Sequence, residues 1–239
     1  MQSKRARLDR FVSGVVGINR RDVRPMLAQK RVLVDGCVAT DINQVIGEFS
    51  HVMLDHRVLQ ANTPSYVMLN KPAGVVSATK DVRHKTVIDL LDRSDRENLH
   101  IVGRLDFNSS GLLLLTNDGQ WSRHLTTPEK NIAKLYRVTL EKPITEDYVH
   151  AFAEGMYFSY ENITTLPAKL NILSDFVAEV SLVEGRYHQI KRMFGRFQNP
   201  VLTLHRIAIG NLPLDPSLAP GKSRALTECE ANNIGQELL

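Results

Sequence analysis

Cysteine is almost missing from this chain: Cys37 and Cys229 are the only two in 239 residues and lie far apart. They offer neither a disulfide framework nor the paired spacing of a metal site, and they fit a reducing compartment. Long apolar runs are missing too. No stretch approaches the roughly 20 residues that a bilayer-crossing helix needs. The apolar segment Phe11–Ile18 is interrupted by Gly14 and Gly17 and lacks a small-residue cleavage pattern, so no signal peptide is expected. There is no repeat of fixed period and no low-complexity tract. What remains is an ordinary globular composition, 43% hydrophobic and 23% charged. The chain is long enough for one or two domains with a sizeable core.

Charge is unevenly spread. Residues 1–31 carry nine basic side chains (Lys4, Arg5, Arg7, Arg10, Arg20, Arg21, Arg24, Lys30 and Arg31) against Asp9 and Asp22, a net of +7. The other 208 residues carry 21 basic and 24 acidic groups, a net of −3. The basic surplus therefore belongs to the N-terminus alone. That is the footprint of a polyanion-binding module, with a solvated helical face as the alternative.

Leu8, Phe11, Val12, Val15 and Val16 recur at helical spacing, and Gly17 can end that helix. Asn19 is a candidate N-cap for a second helix, with Asp22 in a capping-box position. Arg31–Val34, Asp35-Gly36 and Cys37-Val38 read as a β-hairpin, and a strand is expected at 51–54. Two helices and a hairpin with arginines around the second helix resemble the S4-type RNA-binding domain over about residues 5–55. Arg7-Leu8-Asp9-Arg10-Phe11 and Arg31-Val32-Leu33-Val34-Asp35-Gly36 carry that likeness. The resemblance implies that Arg7, Arg10, Arg20, Arg21, Arg24, Lys30 and Arg31 meet phosphates, which positions RNA without reading its sequence. Domain limits are expected at 1–58 and 65–239, with residues 59–64 as a linker.

In the second domain, Tyr66–Val76 reads as strand, Pro/Gly turn and strand, with Lys71 either solvated at the turn or facing RNA. A short helix is expected at 86–91 and a strand at 99–102. Gly111–Leu115 is a buried strand or the start of a short helix, closed by Asn117-Asp118-Gly119. Helices are expected at 120–125 and 145–154, the latter with Val149 and Phe152 inward. Strands are expected at 134–140, 168–173, 176–183 and 201–209. A turn at Glu184–Arg186 feeds a basic helix. Residues 213–227 read as loop, and the last dozen residues as a weak helix.

Three segments compete for chemistry: Asp106 beside Arg104, Tyr136 on its alternating strand, and the cluster Arg186–Arg192. A charged carboxylate at the lip of a core element is costly unless paired or used. Cations at a helix start oppose the dipole, so something anionic, a carboxylate or a phosphate, should face the cluster. A glycosidic hydrolase normally requires two carboxylates, and only one stands out here.

Gly103-Arg104-Leu105-Asp106 with Ser110-Gly111-Leu112, then Lys134-Leu135-Tyr136, then Glu184-Gly185-Arg186-Tyr187-His188-Gln189-Ile190-Lys191-Arg192-Met193-Phe194, strongly resemble the bacterial ribosomal RNA pseudouridine synthases of the RsuA type. Leu204-His205-Arg206 and Leu226-Thr227 also look like the family. Asp118-Gly119-Gln120-Trp121-Ser122 and the Tyr187–Arg192 segment are most similar to its small-subunit (16S) branch, the large-subunit (23S) branch being the alternative. The other rival is an RNA-binding or ribosome-assembly module that has lost the chemistry, which the intact Asp106, Tyr136 and Lys191 disfavour.

The resemblance implies an α+β fold: a small S4-like domain, then a catalytic domain on a mostly antiparallel mixed sheet. It implies isomerisation of a uridine to pseudouridine in ribosomal RNA, with no cofactor and no metal. The partner is ribosomal RNA or an assembling subunit, met by a cytoplasmic monomer. Asp106 aligns with the essential carboxylate, as nucleophile or as base in a glycal route. Lys191 aligns with its cationic partner. Tyr136 aligns with the tyrosine that packs on the base and can assist removal of the C5 proton. The uridine must be flipped out of its stack. Arg104 resembles the residue at the mouth of the flipped-base site, and Arg186, Arg192 and His188 are further RNA contacts, with a structural role equally open for His188. Two departures stand out. Ser109 replaces a frequent Thr and keeps the hydroxyl. Gln198-Asn199 replaces a Gly-Asn turn, so the turn must differ or carry strain.

Overall fold

A computed structural model of the chain describes residues 5–235. Lys4 and residues 236–239 of the expected terminal helix lie outside them. The chain divides into two compact units, residues 1–64 and 65–239. Among the described residues no helix is long and apolar enough to cross a membrane.

The first unit opens with β1 (Ala6–Arg7), α1 (Leu8–Val16) and α2 (Arg20–Ala28). Strands β2 (Val32–Val34), β3 (Cys37–Val38), β4 (Val45–Ile46), β5 (Val52–Leu54) and β6 (Arg57–Gln60) follow. β3-β2-β5-β6 form a sheet, and β1 pairs with β4. Leu8 and Val12 of α1 meet Val23 and Leu27 of α2 over Val32, Val34 and Val52, which gives the unit its own core. Gly17 ends α1 at φ +78, and Asp35 and Gly36 take positive φ at the hairpin turn. Two expectations fail. Asn19 precedes α2 without a side-chain cap, its carbonyl instead accepting from the Asp22 amide at 3.0 Å. The supposed linker begins inside the unit, because Leu59 and Gln60 belong to β6, and Gln60 Nε2 donates to the carbonyls of Gly47 and Ser50.

The second unit contains β7 (Tyr66–Lys71), β8 (His100–Val102), β9 (Ser110–Thr116), α3 (Gly119–Thr126), β10 (Lys134–Leu140) and α4 (Glu146–Glu154). It continues through β11 (Tyr157–Phe158), β12 (Ile163–Thr164), β13 (Lys169–Ser174), β14 (Val177–Leu182) and α5 (Gln189–Gly195). It ends with β15 (Val201–Ile209), β16 (Leu212–Pro213), β17 (Ser223–Ala225) and α6 (Glu228–Asn233). The main sheet runs β13-β14-β10-β15-β9-β7-β17, with β8 on β9 and β16 on β15. Every pairing in it is antiparallel except β15 with β9, so the mixed, mostly antiparallel sheet read from the sequence is present.

The apolar run after Asp106 is strand, not helix. Leu113 and Leu115 enter the larger core with Val138, Phe152 and Phe194, while Leu112 and Leu114 enter a second core with Leu125 and Ile209. A strand buried on both faces needs no polar alternation, which is why the sequence shows none. Asp118 caps α3 by accepting from the amides of Gln120 and Trp121. On α4 Phe152 and Val149 face the core as expected, Val149 only partly buried, and Tyr148 joins them fully, its ring stacking on Phe197 at 3.9 Å.

The expected strand at Val75-Val76 is absent apart from one bridge to Thr86. β7 is already paired by β9 on one edge and β17 on the other, leaving no edge for a hairpin partner. That same β17 is a strand inside the presumed loop 213–227. The expected helix at 86–91 is a single 3₁₀ turn at Ile88–Leu90. The terminal helix is short but has a full capping box between Thr227 and Glu230.

The turn after α5 does carry strain. Gln198 is exposed at φ +53, while Asn199 is fully buried and bonds Lys142 and Tyr148. A residue with a Cβ in this region costs about 1 kcal/mol relative to glycine. Gln198→Gly should therefore raise the melting temperature by a few degrees, read by thermal unfolding. An unchanged or lower value would mean that the turn is unstrained.

Candidate active site

Asp106 lies in the loop between β8 and β9, where three strands of the second unit converge. Its main chain is held by a lysine from β7, Lys71. Lys71 is neither solvated nor facing RNA: it is 0% exposed, and its Nζ donates to the carbonyls of Ser109 (2.7 Å), Pro72 (3.0 Å) and Asp106 (3.1 Å). Burial pulls its pKa down to about 8, against the attraction of Asp106. A buried ammonium with several carbonyl acceptors is tolerated because its protons are used. The loop also closes as a turn, with the Ser109 amide on the Asp106 carbonyl.

A second buried cation, Arg206 on β15, bonds the carbonyls of Leu112 and Gly103 and approaches the Tyr136 hydroxyl at 3.5 Å. Gly111 lies between the two cations, paired with Lys71 on one side and Arg206 on the other. Its φ is +103, and a Cβ there would sit 2.3 Å from the Arg206 carbonyl oxygen. Opposite Tyr136 the β15 register slips between Arg206 and Ala208, a bulge of the kind that re-aims side chains beside sites.

The cationic cluster comes from the turn before α5. Glu184 is buried and organises it: its carboxylate accepts from Arg186 Nε (2.7 Å), Gln189 Nε2 (2.6 Å) and the Leu166 amide (2.8 Å). His188 takes φ +49 at the start of α5. This places Lys191 Nζ 3.6 Å from Asp106 Oδ2 and His188 Nε2 3.5 Å from Oδ1. The expected anions are present. Asp106 faces Lys191 and His188, Glu184 faces Arg186, and Glu161 faces Arg192, whose guanidinium also lies over the Phe158 ring.

A small open cleft follows from this arrangement, bordered by Asp106, Tyr136, Leu105, Leu182, Ile190 and Leu204. Its floor is apolar, and the Asp106 carboxylate sits at the rim, about a third exposed. Such a site can take a flat, weakly polar ring against Tyr136 while a negative oxygen meets an electrophilic carbon. Asp106, Tyr136, His188 and Arg186 border one cleft, and Lys191 reaches Asp106. Arg104 is exposed, with no bonded partner among the described residues. Arg192 is already held by Glu161, which takes it away from a free phosphate contact.

On the first unit Arg7 is bound by Asp9 and Arg31 by Asp55, and each carboxylate is lowered in pKa chiefly by that arginine. Arg21 is 3.9 Å from Asp22. Arg10, Arg20, Arg24 and Lys30 are exposed, and none of their side chains has a hydrogen-bonded partner among the described residues. From the sequence, Lys71 was a turn residue or an RNA contact, and Glu184, Gln189 and the closeness of His188 to Asp106 had no assigned role. The signal that could have revealed Lys71 is a lysine closing an apolar strand, as it closes β7.

Comparison with known proteins agrees with this geometry. Residues 65–195 match the RNA pseudouridylate synthase family. A curated relative from Pseudomonas aeruginosa, named ribosomal small subunit pseudouridine synthase A, is 51% identical over 95% of this chain and 100% of its own length. One of the same name from Escherichia coli K12 is 39% identical over 95% and 99%. A solved structure described as the crystal structure of pseudouridylate synthase is 39% identical, with a TM-score of 0.69 and coverage of 95% of this chain and 98% of that one. The family match spans Asp106, Tyr136 and Lys191 together, and with these relatives it makes the chain a member of the RNA pseudouridylate synthase family.

Proposed function

We propose that this enzyme isomerises a uridine of small-subunit ribosomal RNA to pseudouridine, with Asp106 as the reacting carboxylate. The observation that carries the reading is the pairing of one carboxylate with Lys191 and His188 at the rim of a cleft that Tyr136 borders. The small-subunit substrate rests on the names of the full-length relatives.

The reaction needs the C1′–N1 bond broken and a C1′–C5 bond made on the same base. In one route Asp106 attacks C1′ and the uracil leaves as an anion. The base turns, C5 attacks C1′ and the carboxylate is released. In the other, Asp106 removes the C2′ proton as the C1′–N1 bond breaks and uracil leaves as an anion, giving a glycal. The base turns, C5 bonds to C1′ and Asp106 returns the proton to C2′. In both, N1 gains a proton, C5 loses one, and atoms balance without a co-reactant. Lys191, 3.6 Å from the carboxylate, offsets its negative charge at the rim of the cleft. Tyr136 supports the ring while it turns and assists proton loss from C5. Arg104, exposed two residues before Asp106, meets the strand from which the base has been flipped.

The purified protein should be incubated with separate transcripts of small- and large-subunit ribosomal RNA, and pseudouridines mapped by reverse transcription after carbodiimide treatment. A new pseudouridine in the small-subunit transcript is expected. Conversion only in the large-subunit transcript would overturn the substrate, and conversion in neither would overturn the function.

The first unit serves as the RNA arm in this reading, through Arg10, Arg20, Arg24 and Lys30. Replacing Arg20 and Arg24 by Gln should weaken binding and flatten the slope of log affinity against log salt by about 0.7 to 0.9 per charge removed. A slope identical to that of the unaltered protein would take these residues out of the contact.

A further inference from the structure

Beside the carboxylate stands an aromatic ring that the mechanism does not use. Tyr187 is 75% exposed, and no hydrogen bond of its phenol is present among the described residues. A lone exposed apolar side chain is normal and needs no explanation. This one is neither lone nor loose. Its ring stacks on that of His188, with centroids 3.9 Å apart and planes 20° from parallel. His188 in turn reaches Asp106 Oδ1 with its Nε2 at 3.5 Å. The two rings thus form a short ladder that runs from the reacting carboxylate to solvent, and its last rung has an open face.

The backbone beneath the ladder is fixed. The Tyr187 carbonyl accepts from Arg192 Nη1 at 3.4 Å, and Arg192 is clamped by Glu161 and lies over Phe158. On the other side Glu184 ties down Arg186 and Gln189. His188 takes φ +49, the left-handed region, where it opens α5. An exposed aromatic ring held on His188 beside Asp106 is placed to receive a stacking ligand. Phe107 is the other exposed aromatic next to Asp106, but the His84 ring already meets it edge-on at 5.0 Å.

We propose that Tyr187 is the stacking platform for a base adjacent to the uridine on which Asp106 acts. The proposal rests on the reading of the substrate as RNA. Extracting one nucleotide leaves its neighbours without a stacking partner, which is part of the cost of flipping. An aromatic face placed where the strand leaves the site replaces that partner. It accepts any base, because every base has a π-face. The ring therefore lowers the cost of extraction without choosing sequence.

The test uses a short RNA containing the uridine that the enzyme converts in the ribosomal transcript, and versions with an abasic site at each neighbouring position. Tyr187→Ala should raise KM and the RNA dissociation constant about 5- to 150-fold, the range seen when stacking aromatics are truncated. The turnover number at saturation should change less than about threefold. Tyr187→Phe should behave as the unaltered protein, since the phenol is not used. Tyr187→Leu should behave as Ala, since an aliphatic side chain offers area without a π-face. On one of the abasic RNAs the Tyr and Ala proteins should bind equally. Melting temperature should be unaltered, because the ring packs on a neighbour at the surface and fills no core.

A Tyr187→Ala protein with unchanged KM overturns the proposal. So does a loss that persists undiminished on every abasic RNA, or a Leu variant as good as Tyr. Conversion by the unaltered protein without dependence on Tyr187 defeats the stacking alone. Failure of the unaltered protein to bind or convert the RNA defeats the functional reading together with it.

Discussion

Asp106→Asn should abolish pseudouridine formation, lowering the single-turnover rate on the small-subunit transcript by on the order of 10⁴-fold or more. The amide keeps the shape of the side chain but has neither the charge nor the nucleophilic oxygen that both chemical routes require. Fold and binding should survive. The pair with Lys191 is partly exposed, at 3.6 Å and about a third accessible, and such pairs contribute roughly 0 to 1 kcal/mol. Removing a negative charge beside Lys191 and His188 leaves the cleft more positive, so RNA affinity should hold or tighten. Rates, filter binding and thermal unfolding on the same preparation separate these effects. Activity within tenfold of the parent would show that another group reacts. Activity lost together with affinity would show that Asp106 anchors the RNA instead of reacting with it.

Gly111→Ala should damage the fold more than other single exchanges at glycines of the second unit that meet no close neighbour. The added methyl would lie 2.3 Å from the Arg206 carbonyl oxygen and 2.7 Å from its amide nitrogen, and these are backbone atoms that cannot swing aside. The φ of +103 adds strain for any residue with a Cβ. Relief requires β9 and β15 to part at their parallel junction, which pulls Lys71 and Arg206 away from the carbonyls they hold around Asp106. A cost of roughly 3 to 5 kcal/mol follows, placing this variant in the tail of single-substitution effects. That corresponds to a fall in melting temperature on the order of 10 °C. Turnover should also drop below the transition, since the carboxylate loses its support. Gly14→Ala supplies the contrast: it lies within α1 with nothing within 4 Å of the added carbon, and should be neutral or slightly stabilising. If Gly111→Ala melts with the parent protein, the close approach of β9 and β15 is not real.

Much of the local structure was legible because it is set by neighbours in sequence. Leu8, Val12 and Val16 disclosed α1 by their period, Asp35-Gly36 disclosed the hairpin by its turn chemistry, and Lys134–Leu140 disclosed β10 by alternation. The run Leu112–Leu115 was ambiguous for a physical reason. Burial on both faces erases the pattern that separates strand from helix, and only the two cores on either side resolve it. Val75-Val76 was misread because strand propensity says nothing about whether an edge is free, and β7 had none to give. The strand Ser223–Ala225 was missed for the complementary reason: a polar segment became a strand because β7 offered it an edge.

By itself the sequence determined the basic N-terminal unit, most of the larger elements, and Asp106, Lys191 and Tyr136 as the residues to look for. It left open what each charge would face. That was decided by the approach of chain segments remote in sequence. Lys71, read as a turn residue, is the buried clamp of the Asp106 loop. His188, read as an RNA contact or a structural residue, stands 3.5 Å from the carboxylate. Arg192, read as an RNA contact, is spent on Glu161. Periodicity and turn chemistry act over a few residues, whereas desolvation, ion pairing and close backbone approach act across space, and only the tertiary structure brings those groups together.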